Sequence, residues 1–286
     1  MIMISGASGN LGRRTVQHLL QHTDASRVLA LSRTPDRVAE LGVQSRYADF
    51  DEPDSLVRAF DGAERLLIIS IGTSDRLPKH TRAIDAAVKA GVGHAIFTSL
   101  TRAADPGNPN PLIPDYGVTE RLLAESGMPF TVLRFNVWAE MLTLVGIAPR
   151  AVATGVLPSN TGPGRVGHLT RDDSAAVAAA VLANGGSQGE ILEITGPQAV
   201  TAADIATALT QATGRRVRHQ PTDDHEHAQA LIDQGIPEPF AHAWSSSGIA
   251  TRNGWFDVTT HTVQRLTGRP ATPIEDYFTT HRAQLI

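Results

Sequence analysis

The chain has 286 residues, 41% of them hydrophobic and 19% charged, with a formal net charge of −4 and no cysteine. Such a length buries a substantial core as one large or two ordinary domains. The acidic balance argues against a general nucleic-acid binder, no apolar run approaches a membrane span, and disulfides, thiolate nucleophiles and cysteine-held metals are excluded.

The first twelve residues read as strand, glycine turn and helix start: apolar Ile2 to Ile4, then Gly6, Gly9 and Gly12 in a G-x-x-G-x-x-G spacing. A strand beginning at residue 2 leaves no room for a signal peptide, so the expected compartment is the cytoplasm. Gly6 lets the strand turn, Gly9 removes a side chain where backbone meets a diphosphate, and Gly12 lets helix and strand pack closely. The loop running from Gly6 through Ser8, Gly9, Asn10 and Leu11 to Gly12 is thus the expected diphosphate site, with free N–H groups of the helix start facing the phosphates. A plain strand–helix turn is the alternative. The helix runs from about Asn10 to His22, with Leu11, Val16, Leu19 and Leu20 inward.

The second strand, Arg27 to Ser32, ends in Leu31-Ser-Arg33. An NAD site usually carries an acid about 20 residues past the glycine motif. Here Arg33 offers planar donors suited to a 2′-phosphate and Ser32 can add one hydrogen bond, so NADP(H) is expected over NAD(H); a solvated arginine in the loop is the alternative. Strand three, Gln44 to Ala48, ends at Asp49 and Phe50, where an adenine ring would lie; a turn cap is the other role open to Asp49. After a helix from Pro53 to Phe60, strand four, Arg65 to Ser70, is apolar on both faces like a central parallel strand. The loop Ser70-Ile71-Gly72-Thr73-Ser74 is expected near the nicotinamide-side ribose and phosphate. A helix from about Pro78 to Ala90 contains His80, read as a packing residue.

Strand five is His94 to Leu100. The stretch from Thr101 to Pro114 reads as a long loop, functional or mobile. A helix from Asp115 to Ser126 and strand six, Phe130 to Arg134, follow. Phe135, Asn136 and Trp138 stand where an acceptor pocket should lie, and flat conjugated molecules stack on such rings; domain-interface core is the alternative. Short strands near Gly155 to Leu157 and Arg165 to His168 come next, then an alanine-rich helix capped by Asp172 or Asp173 and reaching Asn184. Glu190 to Thr195 is a strand returning to the sheet, Thr201 caps a helix to Thr213, and Arg215 to Gln220 is a strand candidate before the terminal helices. Asp223 to His227 has metal-ligand residue types that do not converge on a helix, so no metal site is expected. The alternation predicts an α/β, Rossmann-type doubly wound parallel sheet over residues 1–150, rejoined by 170–196. Residues 151–169 and 197–286 form a smaller, mostly helical C-terminal lobe.

Gly6-Ala-Ser-Gly-Asn-Leu-Gly12, Leu31-Ser-Arg33, Thr98-Ser-Leu100, Thr119-Glu120, Leu133-Arg134 and Thr195-Gly-Pro197 resemble the NmrA-like branch of atypical short-chain dehydrogenases. Asn253-Gly-Trp-Phe-Asp257 and Leu266-Thr-Gly268 extend the resemblance to the C-terminal part, nearest to bacterial type 2 quinone oxidoreductases and triphenylmethane reductases. It implies a Rossmann domain with a small C-terminal domain, NADPH binding, and hydride transfer to quinones or similar conjugated acceptors. It also brings a rival, a redox-sensing regulator that binds the nucleotide without turnover. A dedicated biosynthetic reductase and a homodimer stay open.

Short-chain dehydrogenases pair a tyrosine with a lysine four residues later and a serine on strand five. Ser99 and Tyr116 match, but the lysine position holds Glu120. The spacing places Tyr116 and Glu120 on one helix face. A glutamate there can accept ribose hydroxyls, while its charge should push the tyrosine pKa up and disfavour alcohol oxidation. Reduction of a quinone, an iminium or a triarylmethyl cation needs a hydride and at most a proton donor, which Tyr116 or water can supply. Tyr116 as pocket wall is the alternative reading. The expected partner is a small-molecule acceptor such as a quinone, with no nucleic acid and no membrane.

Overall fold

Ile2 and Ile4 point to one side of their strand and Met3 to the other, yet all three are buried. Only a sheet covered on both faces can use such a sequence. The computed structural model describes residues 1–73, 75–233 and 235–286. Its first half alternates β1 (Ile2–Ile4), α1 (Asn10–Leu19), β2 (Val28–Ser32), β3 (Gln44–Tyr47), α2 (Pro53–Phe60), β4 (Arg65–Ile68), α3 (Arg76–Lys89), β5 (Ala95–Leu100), α4 (Ile113–Glu125) and β6 (Phe130–Phe135). The second half runs α5 (Glu140–Leu144), α6 (Ile147–Thr154), β7 (Val156–Ser159), α7 (Arg171–Asn184), β8 (Glu190–Ile194), α8 (Ala202–Thr213), β9 (Arg218–Pro221), α9 (Asp224–Asp233), α10 (Glu238–Arg252), α11 (Thr262–Thr267) and α12 (Ile274–Thr280).

Seven strands pair in parallel in the order β3-β2-β1-β4-β5-β6-β8. This is the expected doubly wound sheet, and its order reverses between β1 and β4, which opens a crevice at the carboxyl ends of those strands. One face buries Ile2, Ile4, Leu67, Ile96 and Leu133 against α1 and α7; the other buries Met3, Leu29, Leu66, Ile68 and Phe97 beneath α2, α3 and α4.

A separate core holds Leu142, Val152, Leu157, Leu209 and Phe278, from α5, α6, β7, α8 and α12. Here β7 pairs in parallel with β9. Ala139, Leu142 and Ala148 already belong to this core, whereas Val263 and Ala271 pack with the sheet's. Two local expectations are corrected. Arg165 to His168 is no strand, because its amides bond to separate segments, Val166 to Val200 and Gly167 to Phe256. Thr170, not Asp172 or Asp173, caps α7, its side chain accepting from the Asp173 N–H. The Asp173 carboxylate instead takes the Thr272 N–H (2.8 Å) and the Arg269 guanidinium (2.5 Å). No helix among the described residues is long and apolar enough to cross a membrane.

Candidate active site

At the switch point, Gly6 adopts φ +62°, a conformation costly for any residue with a Cβ. The chain then folds back so tightly that a Cβ on Gly12 would stand 2.4 Å from the Gly6 carbonyl oxygen and 2.7 Å from the Ala7 Cα. Gly9 is the N-cap residue of α1, and no side chain caps the helix. Its N–H bonds to Gly6 O and the Arg13 N–H to Gly9 O, while the N–H groups of Asn10, Leu11 and Gly12 have no partner among the described residues. Three open donors at a helix start, with the positive end of its dipole behind them, form an anion cradle. The Leu11 side chain faces inward and is buried, so only its backbone serves the cradle.

Beside this loop, Ser32 Oγ donates to Ser8 Oγ (3.0 Å) and accepts the Thr34 N–H (3.0 Å). Arg33 is exposed, and its guanidinium has no hydrogen-bond partner among the described residues. Arg13 braces the same corner, reaching Ser8 O (3.3 Å), Arg37 O and Glu40. Ser32 is 3% exposed and gives its hydrogen to Ser8, so it orients Ser8 and is not the direct donor expected. The corner presents hydroxyls and the Arg33 guanidinium, while its one carboxylate among these contacts, Glu40, is taken by Arg13. Asp49 Oδ1 accepts the Asp51 N–H (3.0 Å), the turn-cap arrangement.

Past β4, the amides of Ser70 and Ile71 point into the protein: Ser70 N–H bonds to Thr98 Oγ1 (2.8 Å) and Ile71 N–H to His80 Nε2 (3.0 Å). These two amides are not free to serve a phosphate, which corrects that part of the expectation. Gly72 is exposed, and Ser74 lies outside the described residues. His80 is fully buried, and that burial pulls its pKa down to about 4, with the Arg76 charge acting in the same direction.

Tyr116 lies on α4 between Phe97 and His80, with ring centroids 6.5 and 5.9 Å away, and the Arg76 Cζ is 6.0 Å from its ring. Its pKa is raised, but by burial first, with the Ser70 hydroxyl and Arg76 pulling the other way. Glu120 is not the cause, contrary to the sequence-based expectation, because its carboxylate faces a counter-charge. Arg134 Nε and Nη2 grip Glu120 Oε1 and Oε2 at 2.9 and 2.6 Å, and Ser99 Oγ adds a 2.5 Å bond to Oε1. Arg134 Nη1 reaches on to Glu193 (3.2 Å), which also holds the Thr101 hydroxyl and the Arg102 N–H. Ser99 and Glu120 thus belong to a buried ionic bridge joining β5, α4, β6 and β8.

Phe135 is 2% exposed inside the sheet's core and Asn136 is 1% exposed, corrections to the expected open pocket wall. The Asn136 amide donates to Phe256 O (3.1 Å) and so ties β6 to the C-terminal part. Trp138 is partly exposed, its indole N–H on Ser174 Oγ (2.9 Å) and the Arg171 Cζ 4.8 Å from the ring. The stretch after β5 is anchored as well: Arg102, at φ +52°, stacks on Trp255 (4.8 Å), and Asn110 donates to Ser247 (2.8 Å). Nothing local in the sequence marks Ser5, Thr98 and His80 as holders of the segment after β4, since a buried hydroxyl or imidazole meets a distant amide only in the fold.

An anion cradle at the switch point of a parallel sheet, with a guanidinium where NAD sites carry an acid, defines a dinucleotide-binding Rossmann protein. The comparison with known proteins agrees: an NAD(P)H-binding family model matches residues 6–185, and the chain belongs to that family. Quinone oxidoreductase 2 of Escherichia coli is 34% identical over 281 residues, 96% of each chain. The crystal structure of the Escherichia coli NADPH-dependent quinone oxidoreductase with NADPH superposes with a TM-score of 0.93 at 32% identity, covering 99% of this chain and 100% of that one. The triphenylmethane reductase of Citrobacter sp. with NADP(H) follows at a TM-score of 0.91 and 30% identity, with the same coverage.

Proposed function

We propose that the chain is an NADPH-dependent reductase of flat, electron-poor acceptors, quinones above all. The observation that carries this reading is Glu120, held by Arg134 at the position where alcohol dehydrogenases of this fold place a lysine. Without that lysine and with its pKa raised, Tyr116 stays protonated near neutral pH and cannot act as the base for alcohol oxidation. The same tyrosine is suited to give a proton. NADPH, when bound, supplies the hydride. The open amides of Asn10, Leu11 and Gly12 would hold its diphosphate, and Arg33, with the Ser8 hydroxyl that Ser32 orients, its 2′-phosphate. A quinone gains the hydride and one proton, delivered from the Tyr116 hydroxyl, and leaves as the hydroquinone; solvent reprotonates the tyrosine. A triarylmethyl cation gains the hydride alone. The names of the relatives, one a quinone and one a triphenylmethane reductase, support both acceptor types.

The test is NADPH consumption, followed at the nicotinamide absorbance, with a panel of quinones and cationic dyes. No turnover with any of them would overturn the reading. Tyr116→Phe should lower kcat for quinones by about ten- to a hundredfold, part of the usual gain from a positioned acid. The same variant should leave cationic-dye reduction within about twofold, since that reaction needs no proton. Equal losses on both substrates would show a wall rather than a donor.

Arg33→Ala should weaken NADPH binding about tenfold, the lower end for a charge-assisted hydrogen bond because the site is open to solvent. NADH binding should not change. Titration of both nucleotides checks this, and equal wild-type affinities would refute the role of Arg33.

A further inference from the structure

Where β4 leaves the sheet, three consecutive amides find buried side chains in place of strand partners. The Ile69 N–H donates to Ser5 Oγ (2.9 Å), that of Ser70 to Thr98 Oγ1 (2.8 Å) and that of Ile71 to His80 Nε2 (3.0 Å). The three acceptors come from the end of β1, from β5 and from α3, and are 0%, 2% and 0% exposed. Two of them are oriented in turn. Thr98 Oγ1 sends its own hydrogen to Ser70 Oγ (3.0 Å), so it grips Ser70 at two points. His80 accepts at Nε2, which puts its proton on Nδ1, facing Thr119 Oγ1 (3.1 Å); that hydroxyl donates to Asp115 O (2.7 Å).

The arrangement has a chemical polarity. All three N–H groups are turned inward, and the carbonyl oxygens of Ile69, Ser70 and Ile71 accept no hydrogen bond among the described residues. Of the backbone hydrogen-bonding groups of these three residues, the carbonyl oxygens are the ones left for a ligand. A phosphate, itself an acceptor, gains nothing from them. A ribose, with hydroxyl donors, or a carboxamide, with an amino donor, does. Across the crevice the glycine loop is the reverse, three donors and an anion cradle. The crevice thus has one edge for phosphates and one for a sugar or amide.

We propose that Ser5, Thr98 and His80 are positioning residues that hold residues 69–71 as an acceptor edge for the nicotinamide riboside half of NADPH, and so set where the hydride donor sits. The inference rests on nucleotide binding in this crevice, not on the identity of the hydride acceptor.

Two ligands separate the halves of the cofactor: NADPH, and adenosine 2′,5′-bisphosphate, which has the phosphorylated adenosine and no nicotinamide. Their affinities are measured by calorimetry for wild type, His80→Phe and Thr98→Val. NADPH should weaken about tenfold in each variant, as expected when a buried donor loses its partner, while the bisphosphate binds as to wild type. His80→Gln and Thr98→Ser keep an acceptor at the same place and should stay within about threefold of wild type for both ligands. Thr98→Val preserves side-chain shape, so it carries the test alone if His80→Phe does not fold. Equal weakening of both ligands, or of neither, would overturn the proposal. Should the wild type bind NADPH yet reduce no acceptor, the proposed function fails while the binding comparison still decides this inference.

Discussion

Arg134→Met is expected to destabilise the fold by about 3–5 kcal/mol, the usual result of removing one partner from a buried ion pair. Glu120 is 6% exposed, and both its oxygens rest on Arg134. Methionine fills much of the space but leaves that carboxylate with only the Ser99 hydroxyl in an interior that solvates charge poorly. Glu193 loses the same guanidinium, although it is 25% exposed at the side chain and tolerates the loss better. Urea unfolding measures the effect. Adding Glu120→Gln to Arg134→Met removes the stranded charge and should recover more than half of the lost stability. A single variant as stable as wild type would show that the pair is not what holds β5, α4, β6 and β8 together at the site.

Gly12→Ala is expected to cost about 3 kcal/mol of NADPH binding or stability, the upper part of the range for overpacking. The added methyl would sit 2.4 Å from Gly6 O and 2.7 Å from the Ala7 Cα, and neither atom belongs to a side chain that can turn away. The loop has to open, and the amides of Asn10, Leu11 and Gly12 then no longer converge on one anion. Nucleotide titration should show about a hundredfold loss or more. Gly42→Ala makes a useful contrast: its Cβ would meet nothing within 4 Å, though its φ of +69° still adds strain. That Cβ would touch no atom of the cradle, so NADPH affinity should stay unchanged.

Some of the site was legible because its chemistry is local. Gly6, Gly9 and Gly12 fall within seven residues, and their spacing alone implies a turn, a close approach and a helix start. Arg33 was legible as a candidate for a similar reason, since the end of β2 is where a sheet of this topology is expected to meet the 2′ position. Tyr116 and Glu120 could be placed on one helix face from their spacing. The pKa of Tyr116 was expected to rise and does, but the assigned cause was wrong: a charge that looks adjacent in sequence is neutralised by Arg134, fourteen residues away. Phe135 stayed open between pocket wall and core because residue type does not tell an aromatic that lines a pocket from one that fills a core, and nothing local marks the Asn136 amide as the partner of the distant Phe256 carbonyl.

By itself the sequence determined the order of the sheet's strands and helices, the glycine loop at the first helix start, the preference for NADP(H) and the lack of a lysine beside Tyr116. Each is set by residue type at short spacing, where backbone geometry leaves few alternatives. The tertiary structure alone decided what the buried polar groups do. Thr98 meets an amide 28 residues away, Arg134 meets Glu193 59 residues away, and Asn136 meets a carbonyl 120 residues away. A hydrogen bond has no preference for a partner by sequence distance, so these pairings exist only once the sheet has brought the strand ends together. The loop for the phosphates could be found by reading; the edge proposed for the nicotinamide half could not.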